Sequence, residues 1–282
     1  MYNTLGNEGL RVDESVQLTK SDGRKVLFDF DKIISTCIRA GASRNLAEEI
    51  AQKVFEQSYD GMTTKEVYKK ILRFLKDQHY PKIQNRYRLR ESIMSLGPTG
   101  FIFESFVGQI LERHGYRIES IRSKVKGQCV EHEIDLIARS SKNNRYMIEC
   151  KYHNIAGIFT GLKETLYTHA RFLDLKEEFD REMLVSNTQI SGDAIQYAKC
   201  VGQDVLSWRY PKDNGLEKMI EDQGLYPVTL LHLSKNELDA FSKINFLLAR
   251  NLLNVNLDEL SSKTGISTNR LTTLQSKTIQ IL

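Results

Sequence analysis

The chain has 282 residues, of which 40% are apolar and 27% charged, with a formal net charge of +4. This is enough chain for one large core or two to three small ones, and no uninterrupted apolar run approaches the roughly 20 residues that span a bilayer. Cys37, Cys129, Cys150 and Cys200 form no CxxC pair, and the start MYNTLGNEGLRVDES has no apolar signal core. A zinc site, a disulfide framework and a secretory leader are thereby disfavoured, and a reducing cytoplasmic location is expected.

Residues 1–15 read as a loose arm. VQLTK and VLFDF then flank SDGRK, a strand–turn–strand signal. Ile33, Ile34, Cys37 and Ile38 share one helical face, and Leu46, Ile50, Val54 and Phe55 share the next. Thr63 or Thr64 caps a third helix carrying Val67, Ile71, Leu72 and Leu75, and a fourth runs from about Lys82 to Met94. Lys69, Lys70, Arg73, Lys76, Lys82, Arg86, Arg88 and Arg90 crowd this stretch, with Asp77 nearly the only counterweight. SLGPTG then breaks the chain, which sets a first domain at 16–95.

Beyond the break, Phe103, Phe106, Val107, Ile110 and Leu111 predict an amphipathic helix ending at His114-Gly115. Strand-like YRIESIRSK follows, then EIDLIARSSKNNRYMIECK, a helix from about Thr160 to Glu178, the strand REMLVSN, a helix from Asp193 to Gly202 and the strand DVLSWRY. That alternation predicts an α/β (α+β) fold: a mixed sheet flanked by helices over residues 100–215. The tail, 216–282, reads as helical. Ser234-Lys-Asn-Glu237 is a capping box ahead of a long helix, and two shorter helices follow around Thr264-Gly265-Ile266-Ser267.

The two central strands carry charges within apolar runs. If Ser140 to Asn144 form the turn, Arg139 faces Arg145, Ile137 faces Met147, Asp135 faces Glu149 and Glu133 faces Lys151. Two opposed carboxylates repel unless a cation lies between them, and hard oxygen donors suit Mg²⁺ or Mn²⁺. An ammonium on the same face could orient or help deprotonate a water and offset phosphate charge. A one-residue slip would separate the carboxylates.

This stretch resembles the PD-(D/E)xK nuclease superfamily and, within it, the Mrr-like restriction endonucleases, from about Gly100 to Pro211. GFIFESFVGQILERHGY resembles the family's first helix, EIDLIA its motif aspartate strand, IECK its Glu-x-Lys strand, and LVSNTQISGDAIQYAKCVGQDVLSW its later strand–helix–strand. The resemblance implies that Asp135 and Glu149 bind metal, with the Cys150 carbonyl as a further ligand. It also implies that Lys151 assists the attacking water and that Glu104 ligates or orients. Upstream of Asp135 the chain reads CVEHE where such enzymes have a Gly-rich approach, so His132 and Glu133 stay open as partners in metal binding. Lys163, Tyr167 and Arg171 recur every four residues, a stripe that could track a phosphate backbone or simply snorkel at the surface.

QLTKSDGRKVLFDFDKII and the helices after it resemble the ATP-cone, a small, mostly helical regulatory nucleotide-binding module, from about Val16 to Glu91. The resemblance implies that Lys20 and Lys32 pair with phosphates of ATP or dATP, with Thr64 bonding the nucleotide and Tyr68 stacking on a base. Ser21 stands where a basic residue is usual. LDELSSKTGISTNRLTTLQSKTIQIL can be read as a helix-hairpin-helix or a short helix-turn-helix with Arg270 and Lys277 facing phosphate, or as a packing bundle.

Together the two resemblances imply a Mg²⁺-dependent DNA endonuclease of restriction, defence or repair, tuned by ATP or dATP. The alternatives are a nucleotide-sensing DNA-binding regulator with an inactive nuclease fold, and a nucleotide-switched oligomerisation module. The intact Asp135, Glu149 and Lys151 favour catalysis. DNA, a nucleotide and further copies of the chain in a homo-oligomer are the expected partners, and a membrane is not.

Overall fold

The computed structural model describes residues 16–20, 22–155 and 157–282. The arm expected over residues 1–15, and Ser21, lie outside the described residues. The chain divides into two compact units, 1–87 and 88–282.

In the first unit, β1 (Gln17–Thr19) and β2 (Lys25–Leu27) pair antiparallel with Leu18 opposite Val26. Gly23, at φ +82°, supplies the left-handed residue of the turn. Helix α1 (Phe30–Arg39) starts where the Asp29 side chain accepts from the Lys32 N–H, and α2 (Arg44–Glu56) starts at Ser43. Helix α3 (Thr64–Asp77) opens on a complete capping box: the Thr63 hydroxyl accepts from the Glu66 N–H at 3.2 Å, and the Thr63 N–H donates to Glu66 Oε2 at 2.8 Å. Thr63 is therefore the cap and Thr64 the first helical residue. Thr63→Ala is expected to cost the unit about 1 kcal/mol in thermal unfolding, whereas Thr64→Ala stays within roughly half of that. Cys37, Ile50, Ala51, Ile71 and Leu75 form the centre of this unit's core. Helix α4 (Pro81–Met94) follows, and the division between the units falls within it.

The second unit is a three-layer sandwich. Helix α5 (Phe101–Arg113) precedes β3 (Arg117–Lys126), β4 (Glu131–Arg139) and β5 (Arg145–Lys151), an antiparallel meander. A short β6 (Phe159–Thr160) leads into α6 (Leu162–Asp174). Next come β7 (Arg181–Ser186), β8 (Gln189–Ile190), α7 (Gly192–Val201) and β9 (Asp204–Leu206). The five-stranded sheet has the order β3-β4-β5-β7-β9, its last three strands parallel, and β6 pairs with β8 beside it. The mixed sheet flanked by helices is the architecture that the alternation predicts.

The strands' period of two sorts their side chains between layers. Leu136, Ala138, Ile148 and Cys150 join Phe103, Phe106, Val107 and Ile110 of α5 in the main core. Ile137 and Met147 pack with Leu175 and Phe179 beyond α6. Strand β9 is shorter than DVLSWRY suggests, because the Trp208 N–H donates to the Thr188 carbonyl and Ser207 pairs with Tyr210 in a tight reversal.

Helices α8 (Leu216–Gln223), α9 (Lys235–Lys243), α10 (Leu257–Thr264) and α11 (Thr268–Ile281) close the chain. Their apolar residues, including Ile220, Phe241, Leu260 and Leu274, enter the same core as α5. The Ser234–Glu237 capping box forms, but the long helix expected after it ends at Lys243. Asn245 takes a left-handed φ of 54°, and the Phe246 N–H bonds back to the Phe241 carbonyl, which terminates the helix. Arg270, a phosphate partner by the sequence reading, instead donates to Glu237 at 2.6 Å and to the His232 carbonyl at 3.1 Å. No helix among the described residues is long and apolar enough to cross a membrane, and all four cysteines are free.

Candidate active site

The Ser140 N–H bonds the Asn144 carbonyl at 2.9 Å and Asn143 takes φ +66°, so the turn forms where the spacing predicts. Arg139 pairs with Arg145, Ile137 with Met147, and Leu136 with Ile148. Continued by one rung, this register sets Asp135 opposite Glu149, but the ladder ends first. Asp135 Oδ2 instead accepts from the Cys150 N–H at 2.7 Å. On the other flank of β4, Ile121 pairs with Leu136 and Ser123 with Ile134, which brackets Arg122 opposite Asp135. Arg122 has a left-handed φ of 55° and forms no rung. Asp135 therefore sits at a break in the ladders on both of its sides.

Glu149 and Lys151 lie at the carboxyl end of β5, beside the carboxyl end of β7, where open α/β sheets place their functional groups. Glu149 is buried and accepts from Lys151 Nζ at 2.6 Å and from Arg171. Arg171 also donates to the Glu133 carbonyl and lies 5.4 Å from the Tyr167 ring centroid. It cross-links α6 to both strands of the hairpin. Past Lys151, the Asn187 side chain grips the backbone of His153, accepting from its N–H at 2.8 Å and donating to its carbonyl at 2.7 Å. Thr160, Ser186 and Thr188 form a buried hydroxyl cluster beneath.

Burial, and then the charge of Glu149, push the Asp135 carboxyl up to about 6. Burial and then Asp135 push Glu104 up to about 7. Glu104 Oε2 makes no hydrogen bond, and its cationic neighbour is Arg122 Nε at 4.0 Å. Burial alone would lower the Lys151 ammonium, but its bond to Glu149 and the charges of Glu149 and Asp135 outweigh that and raise it. Lys151 is thus held as a cation by its bond to Glu149, which suits it to stabilising negative charge. Among the described residues no three His, Cys, Asp or Glu side chains group as a metal cage; Glu149 is engaged by two cations and Asp135 by a backbone N–H.

These shifts have a measurable sign. A carboxyl raised in the folded state contributes stability that is full below its unfolded value near 4 and lost as pH rises through its folded value. For Glu104 that loss is complete only above about 7. His153 and His232, held low by burial, act in the opposite direction over part of this range. The check is therefore a difference: in chelator, stability relative to Glu104→Gln should fall between pH 5 and 8, read by thermal unfolding.

The sequence stripe Lys163–Tyr167–Arg171 divides. Lys163 and Tyr167 are exposed, but Arg171 is buried and committed to Glu149, so it does not face a phosphate backbone. The available signal was Leu175, an apolar residue one turn further on the same face. Arg122 escaped the sequence reading altogether, because nothing in RIESIRSK marks a left-handed residue. In the first unit, an isolated bridge joins Thr19 to Thr63, which brings Lys20 and Thr64 to adjoining backbone positions. Lys32 lies exposed in the first turn of α1, and Tyr68 stacks on Tyr87 with ring centroids 5.4 Å apart.

Three family models match successive segments of the chain. The family model of the ATP cone domain matches residues 16–93, that of a restriction endonuclease domain (Mrr_cat) matches 98–207, and that of an AF1548-like C-terminal domain matches 226–282. An uncharacterized protein of Archaeoglobus fulgidus is 41% identical over 155 residues, which cover 55% of this chain and 87% of the relative. A second uncharacterized protein of that organism is 44% identical over 39 residues, 14% of this chain and 83% of the relative. The crystal structure of the protein of unknown function AF1548 is 36% identical, with a TM-score of 0.59 over 65% of this chain and 98% of that one.

Proposed function

This chain belongs to the AF1548-like family and joins an ATP-cone domain to an Mrr-type restriction-endonuclease domain, and on that premise we propose that it is a divalent-metal-dependent DNA endonuclease tuned by ATP or dATP. The observation that carries this is the convergence of Asp135, Glu149 and Lys151 on the splayed end of one hairpin. Glu104 stands near them with a bare buried oxygen.

The donor set fits a hard divalent cation: Asp135 and Glu104, whose proton affinity is raised first by burial and then by a neighbouring carboxylate, and a Glu104 oxygen without a hydrogen bond. Asp135, Glu149 and the Cys150 carbonyl would hold Mg²⁺ or Mn²⁺, with Glu104 as a further ligand or orienting group. When bound, such an ion polarises the phosphate and makes its water more acidic. Lys151 offsets charge developing on the phosphate, Asp135 and Glu149 fix the geometry, and hydrolysis proceeds without a covalent enzyme intermediate.

In the first unit Lys20, Lys32 and Thr64 are the proposed nucleotide contacts. Titration calorimetry with ATP and dATP should show binding that Lys20→Ala weakens by about tenfold, the effect of one charge-assisted bond; absence of heat with either nucleotide rejects the sensor. The test of the whole reading is nicking of supercoiled plasmid with Mg²⁺, with and without ATP. Cutting that needs the metal and responds to nucleotide supports it, and inert protein under every metal and nucleotide condition rejects it.

A further inference from the structure

Arg122 is the unexplained residue of the site. It lies on β3, the edge strand of the sheet, opposite Asp135. A non-glycine residue at φ +55° inside a strand is strained, and such strain persists where surrounding structure or function holds it. The side chain is aimed but not consumed. Its guanidinium lies 3.7 Å from the centroid of Phe101, itself 49% exposed. Nε stands 4.0 Å from Glu104 Oε2 and 3.8 Å from Glu133 Oε1, both too long for hydrogen bonds. The side chain remains 42% exposed. Arg171 and Lys151, by contrast, are committed to Glu149.

We propose that Arg122 is a phosphate-binding residue of this site, which exchanges its loose contacts with Glu104 and Glu133 for the backbone of the DNA strand to be cut. The proposal rests on the nuclease reading above. A planar guanidinium offers two parallel donors that match phosphate oxygens, and a phosphate would replace two long ion pairs with short bidentate bonds. The Phe101 ring holds the plane of the fork in place. The left-handed backbone turns Arg122 out of the regular strand geometry at the level of Asp135.

The backbone supplies an unusual test, because glycine adopts this φ without strain. Arg122→Gly in the full chain should unfold at the same temperature or higher. Yet in Ca²⁺ it should bind a labelled DNA duplex about tenfold more weakly, with the slope of log K against log salt reduced by about 0.9, one phosphate contact. Arg122→Lys should keep the wild-type slope. Wild-type affinity and slope in Arg122→Gly would overturn the proposal. So would a drop in its unfolding temperature, or a loss of slope in Arg122→Lys equal to that of the glycine variant. A wild-type chain that neither binds nor nicks DNA would overturn the nuclease reading, and this proposal with it.

Discussion

Asp135→Asn is expected to lower plasmid nicking by roughly 10³-fold while raising the unfolding temperature. The opposite signs follow from one geometry. The Asn side-chain oxygen can still accept from the Cys150 N–H, so the splayed strand end keeps its bond. What disappears is a half-buried negative charge that faces Glu149 and is costly enough to hold its proton up to about pH 6. Removing it relieves repulsion in the folded state and deletes the anionic ligand. Lys151→Ala should abolish nicking to a similar degree but lower stability, because Glu149 then loses one of its two cations. Nicking assays and thermal unfolding on both variants check the pair. Undiminished cutting by pure Asp135→Asn protein would sink the site.

The second large effect belongs to Arg171, which the sequence pattern had placed on a surface stripe. Its side chain is 8% exposed and that of Glu149 is 7%. Removing one member of a buried ion pair typically costs about 3–5 kcal/mol, because the other charge is left buried. For a unit of this size Arg171→Met should lower the unfolding temperature by roughly 10 °C. Lys151 still contacts Glu149, so the lower end of that range is expected. Adding Glu149→Gln should recover part of the loss, since the buried carboxylate is then neutral, while Lys151 gives up its ion pair. Denaturant unfolding of the single and double variants measures the coupling, and a single-variant cost below about 1 kcal/mol would show that the pair is not buried in solution.

The register of the hairpin was legible because the turn residues and the alternation of apolar side chains both point to residue 142. Helix α5 and the Ser234 cap were legible for the same reason: each depends on residues within a few positions of one another. The break beside Asp135 was not legible. It depends on a side chain replacing a carbonyl as acceptor and on a backbone excursion at Arg122, and neither leaves a periodic trace. Arg171 reaches Glu149 across 22 positions, so its role appears only when α6 is laid on the sheet. The overlong helix predicted after Ser234 has a local cause. Asn245 serves as the left-handed stop where glycine would have announced one.

Asn187 deserves a last consequence. Its amide accepts from and donates to the backbone of His153 much as a neighbouring strand would, two residues beyond the final Lys151–Ser186 rung. Lys151 is therefore an interior position of a hydrogen-bonded lattice, not the frayed last residue of a strand. The entropy of fixing its backbone is lost when the chain folds, so it need not be lost again each time a substrate arrives. Asp at 187 would keep the acceptor and lose the donor, leaving a lysine of the same chemistry on a looser hinge.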